Sequence, residues 1–154
     1  MNATDIKSML DFIHSRYHSF FDLGNDTLIR NWCNSLRDKD TELMWAILKE
    51  YAATSHYAPQ LADIEVSYNQ RMTSIETATR EKANLIRTYI DDATGINEAD
   101  RKRYNDLLSD RLDSTPIMKR ESAAENIYIK CRQSYADIMR DSSVLIQIIG
   151  DRHD

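Results

Sequence analysis

The chain has 154 residues, enough for one ordinary domain or a small domain with an extended helical arm, and too few for two full domains. Hydrophobic residues make up 42% and charged residues 29%, with only 3 Gly and 2 Pro, a mix that suits helices with wide solvated faces and leaves almost no strand signal. The formal charge of -5, from 25 acidic and 20 basic residues with neither sign gathered into a block, argues against autonomous nucleic-acid binding, which draws its affinity from a Lys/Arg stripe facing phosphates.

In chain order, Ile6, Leu10, Ile13, Tyr17 and Phe20/Phe21 recur at helical spacing and predict a first amphipathic helix over 4–21. Gly24-Asn25-Asp26 makes a turn, and Asp26 caps a second helix carrying Leu28, Ile29, Trp32 and Leu36. Asp38-Lys39-Asp40 supplies another turn and N-cap for a third helix over about 41–54, with Met44, Ile47, Leu48 and Tyr51 on one face, Trp45 at its edge, and Lys49 and Glu50 pointing away. Pro59 fits the first position of a fourth helix, because the N–H it lacks has no intrahelical partner there.

From there Leu61, Ile64, Tyr68, Met72, Ile75, Thr79, Ala83, Ile86 and Ile90 advance 29 residues in 8 steps, the 3.6-residue period of an uninterrupted helix. Thr79 is the one polar step in this stripe. Such a helix runs roughly 45 Å, longer than the preceding core can cover, so it must pack on another arm or a partner. Asp91-Asp92-Ala93-Thr94-Gly95 is a stop, Asn97 and Asp100 begin a helix to about 113, and Ser114-Thr115-Pro116 breaks or kinks it. A last helix places Ala124, Ile127, Cys131, Tyr135, Ile138, Leu145 and Ile149 on one stripe, with Ser142 as its weak position. The expected architecture is therefore all-α: a small helical domain of three to four helices over 1–66, followed by a long helical hairpin or arm over 67–154.

Catalytic signatures are missing. There is no GxxxxGK[ST] phosphate loop, no GxSxG elbow and no HExxH, and the adjacent carboxylates Asp91-Asp92 and the pair Asp110 and Asp113 fit helix ends and solvated faces better than acid/base chemistry. His14 and His18 stand four apart on one helix face, but no third ligand is near, so two solvated histidines are expected and no metal. Arg101-Lys102-Arg103 sits between Asp100 and Asp106 and reads as a solvated helix face. If residues 41–54 were the reading helix of a helix-turn-helix, its outward positions would show Glu42, Trp45 and Glu50 with only Lys49 basic, a poor surface for phosphates. The expectation is a non-enzyme without cofactor.

Cys33 and Cys131 lie in helical patterns without CxxC or His partners and read as reduced, buried small hydrophobes. The opening MNATDIKSML lacks the features of a signal peptide, and no apolar run approaches the ~20 residues that span a bilayer, so the expected location is the cytoplasm.

One stretch is more specific than the rest. Residues 32–64 read WCNSLRDKDTELMWAILKEYAATSHYAPQLADI, in which Trp32, Leu36, Glu42, Leu48, Tyr51, Tyr57, Pro59, Ala62, Asp63 and Ile64 stand in the register W-x3-L-x5-E, then L-x2-Y, an aromatic, one residue, Pro and x2-A-D-I. This register, within about residues 5–66, resembles the phage replicative helicase loader/inhibitor family. Ile47 stands where that family tends to have Ala, and Ala58 where it usually has a second Pro. The resemblance implies a small helical N-terminal domain and a C-terminal segment that engages a hexameric DnaB-type replicative helicase, restraining its ATPase and unwinding activity and delivering it to an origin. The implied partners are the helicase together with a replisome organiser or host helicase loader, without direct nucleic-acid or membrane binding. Residues 67–154 carry no such pattern.

An adaptor that acts by binding needs an apolar helical surface rather than catalytic groups. The candidate partner-binding residues are Leu145, Ile146, Ile148 and Ile149, beside Val144; the alternative is that these side chains pack on the 61–90 helix. Trp32 and Tyr51 are expected to be structural. The alternative function is a non-enzymatic phage interaction module that inhibits a different host protein, and a third is an oligomeric scaffold built on the 61–90 stripe.

Overall fold

A computed structural model describes residues 1–151, whose regular secondary structure is all helical, with no strand among the described residues. The helices are α1 (Ala3–Tyr17), α2 (Asp26–Leu36), α3 (Thr41–Thr54), α4 (Leu61–Asp92), α5 (Glu98–Asp113), α6 (Arg120–Gln133), α7 (Tyr135–Arg140) and α8 (Ser143–Gly150), with one 3-10 turn at Ile117–Lys119 before α6. The chain divides into two compact units, Met1–Met72 and the described residues from Thr73 onward.

Short Asx side chains start most of the helices in the first unit. Asn2 accepts from the Asp5 N–H at 2.8 Å while the Asp5 carboxylate accepts from the Asn2 N–H at 3.4 Å, a reciprocal capping box. Asp40 caps α3 by accepting from the Leu43 N–H at 2.9 Å, as the spacing predicts. At α2 the cap is Asn25, which accepts from the Leu28 N–H at 3.0 Å, so Asp26 is instead the first helical residue. Each such cap satisfies a backbone donor that has no partner inside the helix, and contributes about 1 kcal/mol. The first helix is shorter than its stripe predicts. It ends at Tyr17, and the following turn leaves Phe20 75% exposed while Phe21 is buried.

Trp32, Phe21, Met9, Ile13, Leu36, Leu43, Met44 and Leu48 form the interior of the first unit together with Ile64 from the start of α4. Phe21 meets Trp32 edge to face, with centroids 5.5 Å apart, and the half-buried Phe12 meets Trp45 in the same way at 5.5 Å. Three hydrogen bonds between distant residues fix the elements. The Tyr17 hydroxyl donates to the Ser55 carbonyl at 3.0 Å, the Tyr68 hydroxyl on α4 accepts from the Asp40 N–H at 2.9 Å, and the Ser35 hydroxyl donates to the Glu65 carboxylate. Pro59 is buried two residues ahead of α4 rather than at its first position; the Gln60 carbonyl accepts the first helical bonds, from Asp63 and Ile64.

The second unit is not the two-armed hairpin that the apolar stripes predict. Its core gathers Ala83, Ile86 and Ile90 of α4, Tyr104, Leu108 and Leu112 of α5, Ala124, Ile127 and Cys131 of α6, Ile138 of α7, and Leu145, Ile148 and Ile149 of α8. The last stripe is broken twice. Ser134 interrupts it after α6, and at Asp141-Ser142-Ser143 the Asp141 carboxylate accepts from the Ser143 N–H at 2.9 Å. Here side-chain oxygens offer the backbone an alternative to the helical bond, which ends a helix without Gly or Pro. The first break turns Tyr135 out of the core, to 50% exposure. At the α4–α5 turn, Gly95 takes the left-handed φ of 75°, which a side chain would strain, and Asn97 caps α5 by accepting from the Asp100 N–H at 2.8 Å.

Candidate partner-binding surfaces

The residues of the 32–64 register divide into two groups. Trp32, Leu36, Leu48 and Ile64 are each at most 1% exposed, and Pro59 is buried with them. These positions set how α2, α3 and the start of α4 pack, and their role is structural. Tyr51 is half-buried, whereas Glu42, Tyr57, Ala62 and Asp63 face solvent, with Tyr57 at 78% exposure. The register therefore encodes a core and, beside it, a surface.

That surface includes an open apolar groove of 470 Å³ lined by Phe20, Leu28, Trp32, Tyr57, Pro59 and Leu61. Phe20 and Tyr57 are among the most exposed large hydrophobic residues described, and both lie on the non-helical segments that flank α2 and α3. Phe20 is exposed because α1 ends at Tyr17, short of its stripe, and Tyr57 because it follows the end of α3 at Thr54; a residue past a helix end leaves the buried face. Periodicity puts Phe20 on the α1 stripe although the helix stops before it, and does not mark Tyr57 at all, because period tells what is buried on a helix and both lie outside helices.

Most of the candidate docking residues of the last helix are buried. Leu145 and Ile149 are fully buried and Ile148 is 8% exposed, all three within the core of the second unit; Ile146, like Val144, is half-buried against that core. A stretch apolar on more than one face is what a short helix enclosed by neighbours requires, and α8 is such a helix. Of the four residues, only Ile146 keeps a solvent-facing part.

The ionisable groups fall into structural roles. His14 is half-buried and its Nδ1 lies 2.7 Å from the Phe21 carbonyl, which engages the ring with the turn after α1. Arg101 pairs with Asp91 at 3.3 Å and Glu98 at 3.4 Å, while Lys102 and Arg103 are exposed. Glu50 pairs with Arg71 at 3.1 Å, and Lys49 lies 5.6 Å from the centre of the Trp45 ring. In the second unit Lys82 pairs with Glu125, whose hydrogen bond holds the ammonium pKa above its ordinary value, and lies over the Tyr128 ring. Both cysteines are free; burial pushes the Cys131 thiol up to about 11, and Cys33 is half-buried. No group of three or more His, Cys, Asp or Glu side chains is placed to hold a metal ion among the described residues, and no described helix is long and apolar enough to cross a membrane.

Comparison with known proteins adds one finding. The family model for the N-terminal domain of the phage gp39 protein, a helicase loader/inhibitor, matches residues 1–65. No curated protein and no solved structure matches the chain. The matched segment contains the whole 32–64 register and its groove, and ends in the first turns of α4. Residues 1–65 are thus similar to the N-terminal domain of the phage helicase loader/inhibitor family, the same family that the register of residues 32–64 resembles.

Proposed function

We propose that the protein is a phage DNA-replication adaptor that binds a hexameric DnaB-type replicative helicase in the cytoplasm of the bacterial host, restrains its activity and helps deliver it to an origin through a replisome organiser. The observation that carries this reading is the match of residues 1–65 to the N-terminal domain of the gp39 family. In this reading residues 1–66 are the loader/inhibitor domain and residues 67–154 the effector part. The action is by binding, without catalysis, and needs only surfaces of suitable shape. Within the effector part we assign partner contact to the solvent-facing side of Ile146, since its neighbours Leu145, Ile148 and Ile149 belong to the core.

A second reading, an interaction module that inhibits a different host protein, is favoured by the groove at Phe20 and Tyr57, which offers protein contact from the first unit alone. Both readings are tested by mixing the purified protein with the hexameric helicase, with and without ATP, and following the mixture by size-exclusion chromatography with light scattering. Co-elution that responds to nucleotide is the expected result and gives the stoichiometry. Absence of co-elution in both nucleotide states overturns the helicase reading and leaves the second.

A further inference from the structure

The single polar step in the long α4 stripe, Thr79, marks a cavity. Between the large side chains Ile75 and Ile86 the buried face of α4 carries only Thr79 and Ala83, and this local loss of volume leaves an open cavity of 290 Å³ within the second unit. Thr79 is 9% exposed, and its hydroxyl has no hydrogen-bond partner among the described residues, although threonine hydroxyls in helices commonly bond back to the preceding turn. A buried hydroxyl without a partner costs free energy, which a ligand that hydrogen-bonds to it recovers.

Three guanidinium groups line the same cavity: Arg80 and Arg87 from α4, and Arg120 from the first turn of α6. None of them forms an ion pair within the described residues, although Glu76 and Asp113 also line the cavity. Arg87 donates to the Asn84 side chain at 2.9 Å, Arg80 has no hydrogen bond among the described residues, and Arg120 is held in place by its bonds to the carbonyls of Thr115 at 3.0 Å and Asp113 at 3.1 Å. With both carboxylates counted, the lining charge is still positive. Guanidinium forks match the oxygens of a phosphate, and three forks around one cavity supply more donors than a carboxylate with two oxygens can use.

We propose that this cavity is a binding site for a phosphate group, with Arg80 and Arg87 as the charged donors, Arg120 as the anchored one, and the Thr79 hydroxyl as a further donor. The site does not depend on the helicase reading, because all its residues lie in the second unit, outside the family match. Its volume accepts the phosphate group itself, whether free or at the end of a larger molecule that extends into solvent.

The test is calorimetric titration of the full chain with inorganic phosphate and, separately, with ATP in the absence of magnesium, using chloride at matched ionic strength as the control. The same titrations are made on R80A/R87A, whose replaced side chains are exposed or half-buried, and on T79V, which keeps the shape of the threonine. Circular dichroism confirms that both variants fold. The expected result is one saturable site for at least one of the two ligands, weakened about tenfold or more in R80A/R87A and several-fold in T79V. Saturation by inorganic phosphate identifies the free anion as a sufficient ligand; saturation by ATP alone identifies a phosphate carried on a larger molecule. No saturable binding of either ligand, or binding that R80A/R87A leaves unchanged, overturns the proposal.

Discussion

The two units bury apolar surface in different ways. The first is built around a few large side chains, Trp32, Phe21, Met9 and Met44, in edge-to-face and long-chain contacts. The second packs mostly Ile, Leu and Ala, with Tyr104 and one Cys, from five helices, and its other aromatic residues Tyr89, Tyr128 and Tyr135 meet edge to face outside the fully buried core. A large ring fits one place in a fold, so its position in the sequence is informative. Aliphatic residues exchange with little loss, so many sequences fill the same core and no register is left to recognise. The family match covers the first kind of core and stops before the second.

The contrast is most severely tested by placing a charge in each region of α8. Ile149→Asp puts an unpaired carboxylate into a fully buried site, and we expect loss of the second unit's structure, a cost of roughly 4 kcal/mol or more, seen as a large fall in helical circular dichroism. Ile146→Asp, on a half-buried side chain, should keep the helix content and report only on partner binding. Equal loss of fold in both variants would remove Ile146 as a contact residue.

Next in size is Leu36→Ala, a cavity in the core of the first unit with an expected cost of about 2–5 kcal/mol. Both tryptophans, Trp32 and Trp45, lie in the first unit, so fluorescence follows that unit while circular dichroism follows both. Urea titration should show the fluorescence transition of Leu36→Ala moving to lower denaturant. A fluorescence midpoint unchanged from the parent would contradict the burial of Leu36. Smaller is Asn97→Ala, which removes the cap of α5 and should cost about 1 kcal/mol, measured by the circular dichroism melt.

The smallest effects are chemical. With its pKa raised to about 11 by burial, Cys131 holds little thiolate at neutral pH, on the order of a hundredfold less than a thiol at the ordinary value of 9.0, and only deprotonation at high pH makes it nucleophilic. Iodoacetamide at neutral pH should therefore label Cys33 before Cys131 in the folded protein. Asp141 works in the opposite direction of pH. Its carboxylate pKa is lowered, first by the bond from the Ser143 N–H, so the stability it contributes is present above the unfolded carboxylate pKa and is lost as pH falls through the lowered one. Asp141→Asn should flatten that acid-side dependence in melts recorded between about pH 2 and 5.

Much of the first unit is legible in its sequence because caps and large apolar residues act locally. Asp40 caps α3 for the reason its spacing suggests, and Trp32, Leu36 and Leu48 are core because nothing else could cover them. The Asn25-Asp26 pair misleads by one residue, since both side chains can cap and only the backbone path selects between them. Beyond α5, period alone fails. Ala124 through Ile149 keeps a helical average while Ser134 and Asp141 divide it, and a hydrogen bond such as that from Ser143 to Asp141 leaves no trace in an apolar count. The groove at Phe20 and Tyr57 was hidden for a related reason: Phe20 continues the apolar stripe of α1 past the point where the helix stops, and Tyr57 belongs to no stripe. Thr79 stands out in the sequence as a polar step, but the arginines around its cavity come from two helices whose juxtaposition is a tertiary fact.

The bond from the Asp40 N–H to the Tyr68 hydroxyl has a bearing on where the first unit can be cut. The family pattern ends at residue 65, yet the tyrosine that secures the α2–α3 turn comes three positions later, and Lys39 lies 4.9 Å from the centre of its ring. A fragment ended at the edge of the recognisable pattern would lose this fastening of the turn together with the ring beside Lys39. The shortest fragment that keeps this turn fastened is thus set by a side chain outside the pattern by which the domain is recognised.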